Sequence, residues 1–149
     1  MMAARLRALL IALWAGSIWT VGYLVAPTLF ATLADRVLAG TIAGGMFRTQ
    51  AWLSVGCAIA LLGLLYWRPA ELAPRRRAVL MALAGGMFAC TLLSHFALQP
   101  LMAQLREAAG PGGVMDGAAK SRFGLLHGVS SVIYLLQSVL AGVLVWKHR

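Results

Sequence analysis

Four long stretches without a charged side chain constrain this 149-residue chain more than any other feature. They contain 27, 19, 28 and 24 residues and run over residues 8–34, 49–67, 78–105 and 123–146. An α-helix rises about 1.5 Å per residue, so about 20 apolar residues cross the ~30 Å hydrocarbon core of a bilayer. Each stretch is therefore long enough to form a membrane-spanning helix.

The same stretches predict the fold class. They are continuously apolar, and charged residues make up only 11% of the chain, against about a quarter in soluble domains. In lipid the backbone amides must be paired within each segment, and the lack of alternation excludes a β-barrel. The sequence predicts an all-α, polytopic four-helix bundle in one domain, 1–149. The predicted spans are about 6–30, 48–67, 77–99 and 123–146, with a short interfacial helix over about 101–108.

The basic residues predict how the bundle is oriented. Four crossings place both termini on one side, together with the loop that contains Arg75, Arg76 and Arg77. That side has eight Arg and Lys residues and one acidic residue, whereas the other has five and three. The positive-inside rule therefore makes both termini cytoplasmic. Anionic headgroups beside the helix ends account for the net charge of +9, so nucleic acid is not a predicted partner.

Capping and packing residues lie at the ends and interfaces of these helices. Asp35 and Asp116 are predicted to cap the second and fourth helices, since a short carboxylate accepts bonds from the first free amides. Small residues allow helices to approach closely in lipid. The candidate contacts for a homo-oligomer are Gly40, Gly44, Gly85 and Gly86.

Two histidines lie inside the predicted spans. His95 is five residues before Pro100, and His127 is four residues after Phe123, so both lie about 6–8 Å below the outer surface. Each belongs to a polar stripe at helical spacing. The stripes comprise Met87, Thr91, His95 and Gln99 on the third helix and His127, Ser130, Ser131, Tyr134, Gln137 and Ser138 on the fourth, with Ser17, Thr20 and Tyr23 on the first. Because polar side chains avoid lipid, the stripes are expected to face each other or a common cavity.

These residues support two hypotheses and a weaker third. Ionisable residues within a membrane usually mark functional sites, and the predicted ligand-binding residues are His95, His127, Thr91, Gln99, Ser130, Tyr134 and Gln137. Alternatively, both histidines are neutral and hydrogen-bond between helices. A soft ion such as Cu(I) would use a metal set of His95, His127, Cys57, Cys90 and Met87. Free cysteine, however, is also a common small buried hydrophobe.

Several runs in the first and last helices are distinctive. They are Trp14-Ala15-Gly16-Ser17, Gly22-Tyr23-Leu24-Val25-Ala26-Pro27-Thr28-Leu29-Phe30, Asp35-Arg36, the segment from Leu38-Ala39-Gly40 to Met46-Phe47, and Phe123-Gly124-Leu125-Leu126-His127-Gly128-Val129-Ser130-Ser131 with Tyr134. With these runs the chain resembles the small bacterial membrane proteins grouped as domain of unknown function 4149, related to eukaryotic transmembrane protein 205. The resemblance implies a four-helix protein of the bacterial inner membrane and supplies no reaction. The link of the eukaryotic relatives to platinum-drug resistance implies metal or drug handling. A looser likeness to copper-resistance membrane proteins makes copper a candidate ion.

The sequence favours a non-enzymatic membrane protein that binds or transports a small solute or metal ion through a polar site on the periplasmic half. One alternative is a redox protein that holds a b-type haem or a quinone, with both histidines as haem ligands. Another is a non-catalytic subunit of a membrane complex, with residues 100–122 as the contact surface. Hydrolysis is not indicated, because the chain has no serine–histidine–carboxylate set at one depth, no phosphate-binding loop and no zinc motif.

Overall fold

The structure, a computed structural model, describes residues 2–67, 72–110 and 113–148. These residues form four helices, α1 (Met2–Thr32), α2 (Arg36–Trp67), α3 (Pro74–Ala108) and α4 (Gly117–Lys147), each long and apolar enough to cross a membrane. The predicted all-α membrane four-helix bundle is confirmed, and its orientation stays a prediction. Parts of the predicted cytoplasmic loop (68–71) and of the predicted partner surface (111–112) lie outside the described residues.

The helices pack in a ring that follows the order of the chain. Helix α1 contacts α2 and α4, and α3 contacts the same two helices from the other side. Consecutive helices run in opposite directions, so the α1–α2 and α3–α4 connections lie at one end and both termini at the other. We call these the distal end and the terminal end of the bundle.

Aspartate caps begin both helices whose N-termini lie at the distal end. Asp35 Oδ1 accepts hydrogen bonds from the backbone amides of Val37 and Leu38, at 2.8 and 3.1 Å. Asp116 Oδ1 accepts a bond of 2.6 Å from the amide of Ala119. Each carboxylate satisfies backbone donors that a first helical turn leaves free, so both predicted caps are confirmed.

Helices α1 and α3 each contain one π-helical turn, over Thr20–Val25 and Leu93–Leu98. The amide of Ala26 bonds to the carbonyl of Val21, five residues earlier, and the amide of Gln99 likewise bonds to Ser94. A proline without an N–H follows immediately in each helix, at positions 27 and 100. Both helices therefore continue past their proline in α-helical geometry.

This continuity differs from the predicted break at Pro100. Residues 101–108 form the last turns of α3 and not a separate helix, because the π turn over Leu93–Leu98 precedes the proline and α-helical geometry resumes at Gln99. Helix α1 likewise passes through Pro27 and ends at Thr32. The side chains of residues 101–108 therefore belong to the same continuous helix as His95.

Large apolar side chains fill the terminal half of the bundle. Ile11 and Trp14 of α1, Leu61 and Leu65 of α2, Leu80 of α3 and Leu144 of α4 are almost completely buried in one cluster. Cys57 and Met87 belong to the same cluster, which we call the terminal core. Its residues come from all four helices, so the terminal core holds the bundle together at this end.

Candidate functional site

A cavity of about 880 Å³ lies in the distal half of the bundle, and all four helices line it. Its volume falls within the range of about 300–1,000 Å³ that is usual for small-molecule sites. Much of the wall is apolar, with Phe30, Phe47 and Met102 among the lining side chains. We call it the distal cavity.

The structure brings all seven predicted ligand-binding residues to this wall. They are Thr91, His95 and Gln99 of α3 and His127, Ser130, Tyr134 and Gln137 of α4. Tyr23 and Ser131 of the predicted stripes also line the cavity. The stripes therefore reach one cavity along part of their length, whereas Met87 is buried among the large apolar side chains and Ser17, Thr20 and Ser138 are absent from the lining. The role of the lining residues in ligand binding stays a prediction.

A hydrogen bond between two stripe residues closes the side of the cavity nearest the terminal core. Gln137 Nε2 donates to Thr91 Oγ1 at 2.8 Å, and Thr91 Oγ1 donates to the carbonyl of Met87 at 3.1 Å. Both side chains are buried. On the facing helix, Gln50 is also buried and donates to Ser54 at 2.6 Å. The polar groups on this side are thus paired within the bundle.

Tyr134 forms an aromatic wall instead of offering a free hydroxyl. Its ring makes edge contacts with Tyr23 and Phe47, at centroid distances of 6.3 and 5.3 Å. Its hydroxyl donates to the carbonyl of Ile18 on α1 at 2.6 Å. The ring passes so close to Gly22 that an added Cβ there would overlap it. Tyr134 therefore ties α4 to α1 and presents its ring to the cavity.

The two histidines reach the cavity with different aromatic neighbours. His95 is half-buried and makes edge contacts with Trp52 and Phe96, at 5.7 and 4.8 Å between centroids. His127 is more exposed and stacks on Phe123, with centroids 6.1 Å apart and ring planes within 5°. Aromatic contacts thus hold both rings beside the cavity, edge to face at His95 and by stacking at His127.

Ser94 and Arg106 also line the cavity, although neither is among the residues predicted from the sequence. Ser94 Oγ and Arg106 Nε are buried and find no hydrogen-bond partner in the part of the chain that the structure describes. The spacing 91, 95, 99, 102, 106 continues the helical stripe on α3, so Arg106 could have been found had the helix been extended beyond Pro100. Charge at the wall also comes from Arg36 and Glu107.

The proposed metal residues lie in two different parts of the bundle. His95 and His127 line the distal cavity, whereas Cys57 and Met87 are buried in the terminal core. Cys90 is half-buried and is absent from the lining. Among residues 2–67, 72–110 and 113–148, no three of His, Cys, Asp and Glu come close enough to hold a metal ion.

Three of the four glycines predicted as oligomer contacts have neighbours within the chain. Gly40 and Gly44 line the distal cavity, and a Cβ at Gly86 would lie 3.5 Å from Leu140. A Cβ at Gly85 would meet nothing within 4 Å. Formation of a homo-oligomer stays a prediction, with Gly85 as the contact that the monomer leaves open.

The comparison with known families gives one match. The profile of the family described as Domain of unknown function (DUF4149) matches residues 9–111. The chain belongs to this family. The match covers α1 from residue 9 onward and all of α2 and α3, including Ser94, His95 and Arg106, and ends before α4. No curated protein and no solved structure matches the chain.

Proposed function

We propose that this membrane protein binds one small solute in the distal cavity, and that binding or transport of this solute is its function. The observation that carries the proposal is a cavity of about 880 Å³ at whose wall Ser94 Oγ and Arg106 Nε are buried without a hydrogen-bond partner among the residues that the structure describes. An unpaired buried donor or acceptor costs about 1–3 kcal/mol. A bound solute that supplies hydrogen-bonding groups would remove this cost.

The π turns support the same conclusion. Irregular backbone is tolerated at membrane depth where it is buried in protein or lines a cavity, and π turns occur frequently at functional sites. Both turns contribute to the wall, through Gly22 and Tyr23 on α1 and through Ser94 and His95 on α3.

Each π turn also changes which backbone groups are paired. The usual helical donor to the carbonyl of Gly22 is the amide of Ala26, which bonds to Val21 instead. The usual donor to the carbonyl of His95 is the amide of Gln99, which bonds to Ser94 instead. The next residue in both cases is a proline, which has no amide hydrogen. Two carbonyl oxygens beside the cavity thus lose their usual partner and are available as acceptors.

Binding of simple amphipathic probes tests the proposal. Decanoate, decanol and decyltrimethylammonium share an apolar chain and differ in headgroup charge. We would measure binding of each tritiated probe to full-length detergent-purified protein by scintillation proximity. Saturable binding of at least one probe is expected, because the cavity wall combines apolar surface with unpaired polar groups.

A matched pair of tryptophan substitutions assigns that binding to the cavity. Ser130→Trp places a large ring in the cavity, whereas Val132→Trp adds the same ring on the outer surface of α4, where Val132 is 68% exposed. Saturable binding should be lost in Ser130→Trp and kept in Val132→Trp, while both variants elute as the wild type does in size-exclusion chromatography. Failure of all three probes, or wild-type binding by Ser130→Trp, would contradict the proposal.

A further inference from the structure

Resting on the proposed solute-binding function, we infer that the solute is an amphipathic anion. Its acidic headgroup would bind Arg106, and its apolar part would lie against the aromatic wall formed by Tyr23, Phe47 and Tyr134. The inference specifies both the charge of the solute and the side chain that recognises it.

Arg106 has the geometry of an unused anion site. Its guanidinium lies 5.5 Å from the centre of the Phe123 ring, the same ring on which His127 stacks. Its Nε is buried and lacks a hydrogen-bond acceptor among the described residues. The planar guanidinium offers paired N–H donors that match a carboxylate or phosphate. Phe123 therefore orients the cation while leaving at least one donor for a ligand.

The neighbouring backbone allows this position. A Cβ added at Gly44 would lie 3.4 Å from one terminal nitrogen of Arg106, so the guanidinium lies close against the bare backbone of α2. A larger side chain at position 44 would press on the guanidinium. The small residue on α2 thus lets a cation on α3 approach the wall of the cavity.

The charges at the wall favour an anion over a cation. Arg36 and Arg106 line the cavity together with a single acidic residue, Glu107. Glu107 is exposed, whereas Arg106 is partly buried, and charge interactions strengthen as water is excluded. An anionic headgroup would pair with Arg106, and a cationic headgroup would be repelled by it.

The aromatic part of the wall accounts for the apolar part of the ligand. Tyr23 and Phe47 contact the ring of Tyr134 edge to face, and all three residues line the cavity. Because the hydroxyl of Tyr134 is already bonded to Ile18, this wall offers mainly aromatic surface. A fatty-acid-like molecule or an anionic phospholipid carries the required chemistry, an acidic headgroup joined to an apolar chain.

Substitution of Arg106 tests the inference with the same probes. Arg106→Gln removes the charge and should lower the affinity for decanoate about tenfold or more, since a hydrogen bond to a charged group is lost. Decanol binding should stay within about twofold of the wild type, which also shows that the variant keeps its cavity. Arg75→Gln is the control, because Arg75 is exposed at the other end of α3 and does not line the cavity. Arg106→Lys should retain part of the affinity for decanoate.

The outcomes separate the two proposals. Decanoate binding that is weakened by Arg106→Gln and not by Arg75→Gln supports the anion site. If decanol or decyltrimethylammonium binds in the cavity and decanoate does not, the solute site stands and the anion inference is overturned. Equal decanoate affinity in Arg106→Gln and the wild type also overturns it. If no probe binds saturably, both proposals fail.

Native mass spectrometry distinguishes the two sources of the anion. Wild-type protein incubated with phosphatidylglycerol and decanoate would retain one or the other, as adducts of different mass. Retained phosphatidylglycerol that is lost in Arg106→Gln identifies an anionic lipid as the ligand. Retained decanoate identifies a free amphipathic acid. Equal retention of both molecules by the wild type and by Arg106→Gln would overturn the anion site.

Discussion

The two halves of the bundle are built from the same four helices and pack in different ways. The terminal half is closely packed, and no surface is exposed on the core residues Trp14, Leu61, Leu80 and Leu144. In the distal half the same helices surround a cavity of about 880 Å³ and carry both π turns. The distal half is therefore the part in which a cavity replaces close packing.

The difference shows how a small membrane bundle can contain a cavity. Lipid is as apolar as a leucine side chain, so helices associate in a membrane mainly through close packing and interhelical hydrogen bonds. The distal half loses packing contacts around its cavity. The terminal core supplies those contacts, and the distal half can then keep irregular backbone and unpaired polar groups.

The largest expected effect comes from a matched pair of leucines on α4. Leu144 is fully buried in the terminal core, whereas Leu135 lines the distal cavity and is 57% exposed. Leu144→Ala should lower the free energy of unfolding by about 3 kcal/mol, because it leaves a void among packed side chains. Leu135→Ala should lower it by less than about 1 kcal/mol. Equal losses in reversible unfolding measurements would contradict the division into two halves.

Gly22 is the next most sensitive position, because an added methyl group would overlap the ring of Tyr134. Gly22→Ala should lower the free energy of unfolding by about 1–3 kcal/mol. The control is Gly16→Ala on the same helix, where a new Cβ meets nothing within 4 Å and should be neutral or stabilising. In a Tyr134→Ala background the cost of Gly22→Ala should disappear. A cost that persists there would show that the ring is not its cause.

The histidines should affect binding more than stability. His95→Ala and His127→Ala should each weaken decanoate binding about three- to tenfold, the worth of one hydrogen bond, with little change in the free energy of unfolding.

An absorption spectrum of the purified wild type tests the redox alternative. A Soret band that shifts on dithionite reduction and is lost in His127→Ala would replace the solute-binding account with a haem site.

The smallest expected effect concerns the hydrogen bond between Gln137 and Thr91. Thr91→Val should lower the free energy of unfolding by about 0.6 kcal/mol, the average for an interhelical hydrogen bond in a membrane protein. Thr28→Val is the control, because the Thr28 hydroxyl bonds only to Leu24 of its own helix. A double-mutant cycle with Gln137→Leu should show that the two side chains are coupled. Additive effects in that cycle would argue against the bond.

The number of helices, the N-termini of α2 and α4 and the polar stripes could be predicted because they depend on local chemistry. Uncharged stretches specify the four helices. Asp35 and Asp116 cap α2 and α4, because a short carboxylate accepts hydrogen bonds from the free amides of the first helical turn. The helical spacing of His127, Ser130 and Tyr134 was enough to place them on one face. Their meeting in a cavity follows from the exclusion of polar groups from lipid.

The π turns and Arg106 depend on how the helices pack, and sequence reasoning missed them. Pro100 predicts the end of a span, because proline usually interrupts a helix. The π turn over Leu93–Leu98 precedes the proline within a continuous helix and brings Arg106 to the cavity wall. Tyr134 was correctly placed, but its bond to Ile18 depends on the distance between α1 and α4. No spacing rule within one helix reports that distance.

A crystal structure of the full-length protein with 10-bromodecanoate would test the central claim most directly, because the bromine can be located by its anomalous scattering. The account predicts the bromine against Tyr23, Phe47 and Tyr134, with the carboxylate about 3 Å from the guanidinium of Arg106. Bromine outside the bundle, or a distal half closed by its own side chains, would contradict it.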